Sequence, residues 1–219
     1  IPCLFLTEEL PASRNLTKSI TRLGAGSFML ADIPNRDENS EVGKAVRRAI
    51  SQYQSTIAPN MYYIEHLKNE AELAHLVAEC GSRHGVAPAV FVDYLQLIAM
   101  EEPSSAFDER TAINRFVKVL GNIAKEFNAP VFALSSVSRT NYEKQRAGLD
   151  VFGGSQGIEY GVDNALFMSI DGNDARERQA NMERPIRPVT LTAIKIRYGT
   201  PRCVALDFDA EHAVFRGRL

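Results

Sequence analysis

Short apolar runs separated by amphipathic stretches make up the first two thirds of the chain. The apolar runs predict strands at residues 3–6, 61–64, 89–98 and 130–134. Between them, apolar residues recur every three or four positions, which predicts helices at residues 11–23, 41–54, 69–84 and 110–127. Strands that alternate with helices are typical of a doubly wound, mostly parallel sheet, so the predicted fold class is α/β with helices on both faces of the sheet.

The last third of the chain has a different pattern. Residues 147–161 hold five glycines among polar residues, which indicates a flexible loop. Strands are predicted at 165–170 and 189–197, and the polar, charged segment between them is predicted to be an exposed connection. Residues 203–208 and 213–215 predict a closing antiparallel hairpin. We expect residues 1–219 to form a single domain.

Composition narrows the classes of function. The chain has 219 residues, 45% of them hydrophobic, which suffices for a large core. The net charge of -2 provides no global positive field for nucleic acid, so any DNA contact must be local or arise on assembly. Three scattered cysteines and four histidines lack the spacing of a disulfide framework or a zinc site. No apolar run is long enough to span a membrane, so we expect a cytoplasmic protein.

Asp93 is the one carboxylate in the apolar run at residues 89–98. Ligands of open α/β sheets bind beyond the carboxyl ends of the strands, and in P-loop ATPases an aspartate at that place helps to hold Mg²⁺. An ordinary strand whose acidic end faces water explains the same pattern equally well. The strand alone therefore leaves both interpretations open.

Polar side chains follow two further predicted strands, Glu8 and Glu9 after the first, and Ser135 and Ser136 after the fourth. If these strands are parallel neighbours, their polar ends meet at one sheet edge, where Glu9 could deprotonate a water, Asp93 could hold hydrated Mg²⁺ and a serine hydroxyl could sense a terminal phosphate. The alternative is that the glutamates favour a helix N-terminus and the serines merely end a strand. Their recurrence at the same end of three strands favours function.

Two basic residues, Lys195 and Arg197, lie two positions apart near the end of a predicted strand, so both project to the same side. Such a pair suits recognition of phosphate charge, and a solvated cationic strand end is an equally good interpretation.

The glycine-rich loop offers backbone amides and little side-chain bulk, which permits close approach to a phosphodiester backbone. A flexible connector is the alternative. The candidate DNA-binding residues are Lys144, Arg146, Gly153, Gly154, Ser155, Gln156 and Gly157.

Taken in order, these motifs resemble the C-terminal motor domain of DnaB-type replicative DNA helicases, which has the RecA-like fold. Residues 92–98, Val-Asp-Tyr-Leu-Gln-Leu-Ile, are similar to the Walker B signature of that family, with Asp93 at the metal position. Residues 5–12 resemble its strand ending in Glu-Met, with Glu9 matching the glutamate that activates water. Residues 124–139 resemble its sensor region, which carries Ser135, Ser136 and Arg139. Residues 155–163 resemble its DNA-binding loop, and residues 195–199 the segment with the lysine and arginine finger.

The resemblance implies ATP and Mg²⁺ as cofactors and hydrolysis coupled to translocation on single-stranded DNA and to unwinding at a replication fork. It implies a homo-oligomer in the form of a hexameric ring, with a helicase loader or primase as further partners and no membrane. It also implies action in the bacterial nucleoid or in the cytoplasm of a phage-infected host.

The chain departs from the family pattern at three places. Ser136 and Gly153 stand where the family usually has glutamine and arginine. No G-x-x-x-x-G-K-[ST] phosphate loop occurs in the sequence, so we expect that the loop and a strand precede Ile1 in a longer protein and that this chain alone is inactive. The alternatives are an ATPase like RecA, RadA or KaiC, and a noncatalytic assembly or loader-binding module.

Overall fold

The computed structural model describes residues 1–100, 109–137 and 161–218. These residues form two compact units: the first contains residues 1–13, 56–100, 109–137 and 161–162, and the second contains residues 14–55 and 163–218. The helices are α1 (Ala12–Leu23), α2 (Glu41–Thr56), α3 (Glu70–His84), α4 (Leu95–Met100), α5 (Glu109–Glu126) and α6 (Ala175–Met182). The strands are β1 (Cys3–Thr7), β2 (Met61–Ile64), β3 (Ala89–Asp93), β4 (Val131–Ala133), β5 (Asn164–Ile170), β6 (Ile186–Ile196), β7 (Cys203–Asp209) and β8 (Val214–Gly217).

The first unit is built on a parallel sheet with the strand order β2-β1-β3-β4. Every neighbouring pair in it is parallel, and Thr7 at the end of β1 is in register with Asp93 at the end of β3. Such pairs need crossover connections, which α3, α5 and the segment between β1 and β2 supply. The α/β class with a parallel sheet, predicted from the alternation of strands and helices, is confirmed.

One face of the parallel sheet carries the core of the first unit. Leu4 and Leu6 of β1 alternate with less buried residues, as do Val90 and Val92 of β3 with Phe91, because successive side chains of a strand point to opposite faces. These side chains join a buried cluster with the apolar stripes of α3 and α5. Helix α3 begins after Asn69, whose side chain accepts a hydrogen bond from the backbone N–H of Glu72, and ends at Gly85, where φ is 68°.

The other face of the same sheet carries a row of aromatic rings, one from each strand. The ring centroids of Tyr63 and Phe5 lie 5.7 Å apart, those of Phe5 and Phe91 6.0 Å, and those of Phe91 and Phe132 5.0 Å. Aromatic pairs at these distances stabilise beyond their buried area. The row therefore links side chains across the full width of the sheet.

The second unit contains an antiparallel sheet with the order β5-β6-β7-β8. The predicted hairpin corresponds to β7 and β8, where Asp209 pairs with Val214, and is confirmed. Helices α1 and α2 of this unit bury apolar residues such as Ile20 and Val46.

The β7–β8 turn is held by a buried carboxylate, Asp209, which is 7% exposed. Its oxygens lie 2.8 and 2.9 Å from Nδ1 of His212 and 3.2 Å from a guanidinium nitrogen of Arg216, and it also accepts a hydrogen bond from the backbone N–H of His212. Burial acts to raise the pKa of Asp209, but the hydrogen bonds from His212 and the charge of Arg216 outweigh it and hold the pKa below its ordinary value.

The structure differs from the predicted elements at three places. The apolar run at residues 89–98 divides into β3 and the start of α4, so the strand ends at Asp93. Strand β4 is the edge of its sheet and is partly exposed. The segment between β5 and β6 contains α6, which begins at the capping residue Asp174 and buries no residue. Within the described part of the chain, no helix has the length and hydropathy that crossing a bilayer requires.

Candidate functional site

The carboxyl ends of β1, β3 and β4 lie side by side, as the predicted site requires. The backbone N–H of Glu8 donates to the carbonyl oxygen of Asp93 at 3.3 Å, so the chain leaving β1 stays paired with the end of β3. The N–H of Leu95 donates to the carbonyl oxygen of Leu134 at 2.9 Å, which ties the end of β3 to the residue before Ser135. The structure therefore brings Glu8, Asp93 and Ser135 to one edge of the sheet.

The two adjacent glutamates have different surroundings. The Glu8 side chain is 5% exposed, and its oxygens lie 3.2 Å from the backbone N of Leu67 and 3.3 Å from Nδ1 of His66. Glu9 is exposed to solvent. The Glu8 carboxylate is therefore occupied by partners in the loop after β2, while the Glu9 side chain is open to solvent.

The turn that carries Glu9 is fixed at both sides. The hydroxyl of Thr7 donates to the carbonyl oxygen of Leu10 at 2.5 Å, closing the turn around the two glutamates. Glu65 accepts a hydrogen bond from the backbone N–H of Ala12 at 2.6 Å, while Glu8 accepts one from Leu67 in the opposite direction. The segments after β1 and after β2 thus bind each other through reciprocal carboxylate–backbone contacts.

Asp93 ends β3 and is partly exposed. Among the described residues, no group of three or more His, Cys, Asp or Glu side chains could hold a metal ion. Mg²⁺ in phosphate-transfer sites is usually held by one or two carboxylates with waters and substrate phosphates, rather than by a cage of protein ligands. A single strand-end aspartate therefore fits Mg²⁺ that arrives with a triphosphate.

The serine pair is held by a residue of α4. The side-chain amide of Gln96 donates from Nε2 to Oγ of Ser135 at 2.9 Å and to the carbonyl oxygen of Ser136 at 3.3 Å, and Oε1 accepts from the N–H of Ser136 at 3.1 Å. Ser135 is partly buried, and Ser136 is exposed. The pair thus lies beside the first turn of the helix that follows Asp93.

The basic pair belongs to the second unit. Lys195 lies within β6 opposite Ala165, and Arg197 directly follows the last strand residue. The guanidinium of Arg197 lies 2.6 Å from the Asp163 carboxylate, and both side chains are about half exposed. Asp163 therefore engages one nitrogen of the Arg197 guanidinium.

Several predicted residues fall outside the part of the chain that the structure describes. They are the sensor candidate Arg139 and the DNA-binding candidates Lys144, Arg146, Gly153, Gly154, Ser155, Gln156 and Gly157. Their assignments stay predictions.

Sequence patterns missed two residues that organise the site edge, Glu8 as a buried anchor and Gln96 as the partner of the serines. The signal for Gln96 was present, because it is the one amide in the apolar stretch at residues 95–98. A buried role for Glu8 has no local signal, since its partners lie some sixty residues away along the chain.

Comparison with solved structures defines the class of fold. A solved ATPase domain matches with a TM-score of 0.80 at 22% identity and covers 100% of this chain and 75% of that chain. A DnaB-like replicative helicase, described with its interactions with primase, matches with a TM-score of 0.79 at 22% identity over 98% of this chain and 51% of its own. A KaiC-like protein from Pyrococcus horikoshii matches less well, with a TM-score of 0.57 at 13% identity over 100% of this chain and 76% of that chain. The chain therefore has a RecA-like α/β fold, as predicted.

Sequence comparison gives the family. The profile of the DnaB-like helicase C terminal domain matches residues 22–217, so this chain belongs to the family of DnaB-like helicase C-terminal domains. The replicative DNA helicase DnaB of Mycoplasma pneumoniae is 31% identical over 132 residues, which is 59% of this chain and 28% of that protein. A probable replicative DNA helicase of Trieres chinensis is 33% identical over 134 residues, 58% of this chain and 28% of that protein. The chain thus spans just over a quarter of the length of these relatives, and Glu9 precedes the profile match.

Proposed function

We propose that the protein containing this chain is a replicative DNA helicase, and that this chain is its motor domain. In that protein ATP hydrolysis would drive translocation on single-stranded DNA and unwinding of the duplex at a replication fork. The observation that supports the proposal is that Asp93 ends a parallel strand whose end is paired with Glu8 and tied to the residue before Ser135, in a chain of the DnaB-like family. Membership of that family also supports a ring-shaped homo-oligomer, with primase or a helicase loader as partners.

Each residue at the edge has a chemical role in this proposal. Glu9, exposed at the end of β1, accepts the proton of the attacking water. Asp93 would hold Mg²⁺ through its hydration shell, and Mg²⁺ bound there would supply positive charge beside the phosphates. A serine hydroxyl at the end of β4 senses the terminal phosphate, and Lys195 and Arg197 supply positive charge to a phosphate bound by a neighbouring subunit.

The chain by itself should bind ATP poorly, because its sequence contains no phosphate loop. We propose that the intact protein supplies this loop and acts in the cytoplasm of a bacterium or a phage-infected host. Nucleotide binding measured on this chain and on the intact protein separates a motor from a noncatalytic module. A motor binds ATP when intact, and a module binds it in neither form.

The adjacent glutamates provide the test of mechanism. In the intact protein, Glu9→Gln should lower DNA-stimulated ATP turnover by at least about a hundredfold, the usual scale for loss of a general base. Glu8→Gln is the matched control, because the same charge is removed one residue away while an acceptor oxygen for Leu67 is kept. We expect the control to keep most of the turnover. Undiminished turnover in Glu9→Gln would exclude Glu9 as the base.

A further inference from the structure

Gln96 makes a set of contacts that only a carboxamide can make. Its nitrogen donates to the hydroxyl of Ser135 and the carbonyl of Ser136, and its oxygen accepts from the N–H of Ser136. A carboxylate has no donor at neutral pH and an ammonium has no acceptor, so neither glutamate nor lysine could reproduce the set. The donor and the acceptor of the Gln96 amide are therefore both needed to bind Ser135 and Ser136, and a side chain of the same size without both would not replace it.

The contact occupies one acceptor position of the Ser135 hydroxyl. Because Gln96 donates into Oγ at 2.9 Å, that oxygen already acts as an acceptor, and its own hydrogen remains to be donated. The hydroxyl donates to the carbonyl oxygen of Ser136 over 3.4 Å, well beyond the usual length of about 2.7–2.8 Å for such a bond. A donor in so weak a bond can transfer to a stronger acceptor, such as an anionic phosphate oxygen.

Gln96 is also coupled to the metal-holding aspartate. It lies in the first turn of α4, three residues after Asp93, and the backbone bond from Leu95 to Leu134 joins the same two segments. The amide and the backbone bond together set the distance between the end of β3 and the serine pair. These contacts therefore join the end of β3, where Asp93 lies, to Ser135.

We propose that Gln96 is a positioning residue that orients the Ser135 hydroxyl as the donor to the terminal phosphate of a nucleoside triphosphate. The inference rests on the proposed function and deepens it, because it assigns the sensing role to Ser135 rather than to Ser136. Gln96 itself does not touch the nucleotide. It acts through Ser135, so its loss should change the preference for a triphosphate over a diphosphate.

The experiment measures the affinity of the intact protein for ADP and for a non-hydrolysable ATP analogue. Gln96→Glu and Ser135→Ala should each lower the ratio of triphosphate to diphosphate affinity by about tenfold, the scale of one hydrogen bond to a charged group. The affinity for ADP should stay unchanged, which a general loss of structure would not allow. Gln54→Glu, at an exposed position of α2, is the matched control for the added charge.

The double variant Gln96→Glu/Ser135→Ala distinguishes a shared pathway from two separate effects. If Gln96 acts through Ser135, the double variant should lose no more than Ser135→Ala alone, whereas independent contributions would multiply. Ser136→Ala should lower the ratio less than Ser135→Ala. An equal or larger loss in Ser136→Ala, or multiplied losses in the double variant, would overturn the assignment.

Three further outcomes are also decisive. If Gln96→Glu does not fold, ADP binding is lost as well, and the comparison of Ser135→Ala with Ser136→Ala then decides whether Ser135 is the sensor. If the unmodified protein shows no preference for the triphosphate, the proposed function itself fails. If it shows the preference and Gln96→Glu retains it, only the role of Gln96 is wrong.

Discussion

Replacing Glu8 tests what holds the turn that carries Glu9. The Glu8 carboxylate has two partners of different kinds: a backbone N–H of Leu67 at 3.2 Å, and Nδ1 of His66 at 3.3 Å. The Glu8 side chain is 5% exposed and that of His66 is 86% exposed. One contact is therefore a hydrogen bond to a buried acceptor, and the other an ion pair at the surface that exists only when His66 is protonated.

The two contacts should differ in strength. A hydrogen bond to an ionised group contributes about 1.5–3 kcal/mol to stability, while an exposed ion pair contributes about 0–1 kcal/mol. Glu8→Ala removes both, so the free energy of unfolding should fall by about 2–4 kcal/mol. Glu8→Gln keeps an acceptor for Leu67 and His66→Ala removes only the exposed partner, so each should cost about 1 kcal/mol or less.

Urea unfolding followed by far-UV circular dichroism measures these differences, since the chain has no tryptophan to report by fluorescence. The order expected is a large loss for Glu8→Ala and small losses for Glu8→Gln and His66→Ala. If Glu8→Gln costs as much as Glu8→Ala, the charge of Glu8 and not its acceptor oxygen holds the loop. If His66→Ala costs as much as Glu8→Ala, the surface pair dominates and the reasoning from exposure is wrong.

Two other predictions concern stability. The pKa of Asp209 is lower in the folded state than in the unfolded state. Below about pH 4 the unfolded state therefore binds more protons than the folded state, and the free energy of unfolding decreases as the pH falls. Asp209→Asn should flatten that slope in urea titrations between about pH 3 and 5, and an unchanged slope would contradict the role of Asp209. Gly43→Ala would set a Cβ 2.2 Å from the carbonyl oxygen of Asp37 and should destabilise by about 1–3 kcal/mol. Gly121→Ala, with nothing within 4 Å of the added atom, should instead stabilise the protein by about 0.5–1 kcal/mol. Equal changes of Tm in the two variants would contradict the clash expected for Gly43→Ala.

The sequence predicted the elements of the first unit closely, because each has a strong local signal. Helix α3 has a regular apolar stripe, a capping asparagine at its start and a glycine at its end. The strand containing Asp93 was predicted too long, since residues 95–98 are as apolar as the strand and periodicity cannot divide such a run. Helix α6 was missed because it is polar on every side, although Asp174 and Glu177 are spaced as in a capping box.

The candidate site was only partly predictable, for a physical reason. That Glu8, Asp93 and Ser135 lie at or just after strand ends is visible in the sequence, but their approach depends on β1 lying next to β3 and β3 next to β4. No local pattern encodes that order. The contacts of Gln96 with Ser135 and Ser136 span about forty residues, so they appear only when the chain has folded.

The strand order also bears on the timing of folding during synthesis. Among the four described strands of the parallel sheet, β1 is made before its neighbours but lies inside the sheet, where Cys3 pairs with both Met61 and Ala89. Until residues near 90 leave the ribosome, β1 has at most one of its two neighbours, and its apolar edge can pair wrongly with another chain. Pairing over such sequence separations is slow. The sheet edge at the ends of β1 and β3 thus cannot form before β3 is made, and nascent chains stalled before β3 should depend strongly on chaperones.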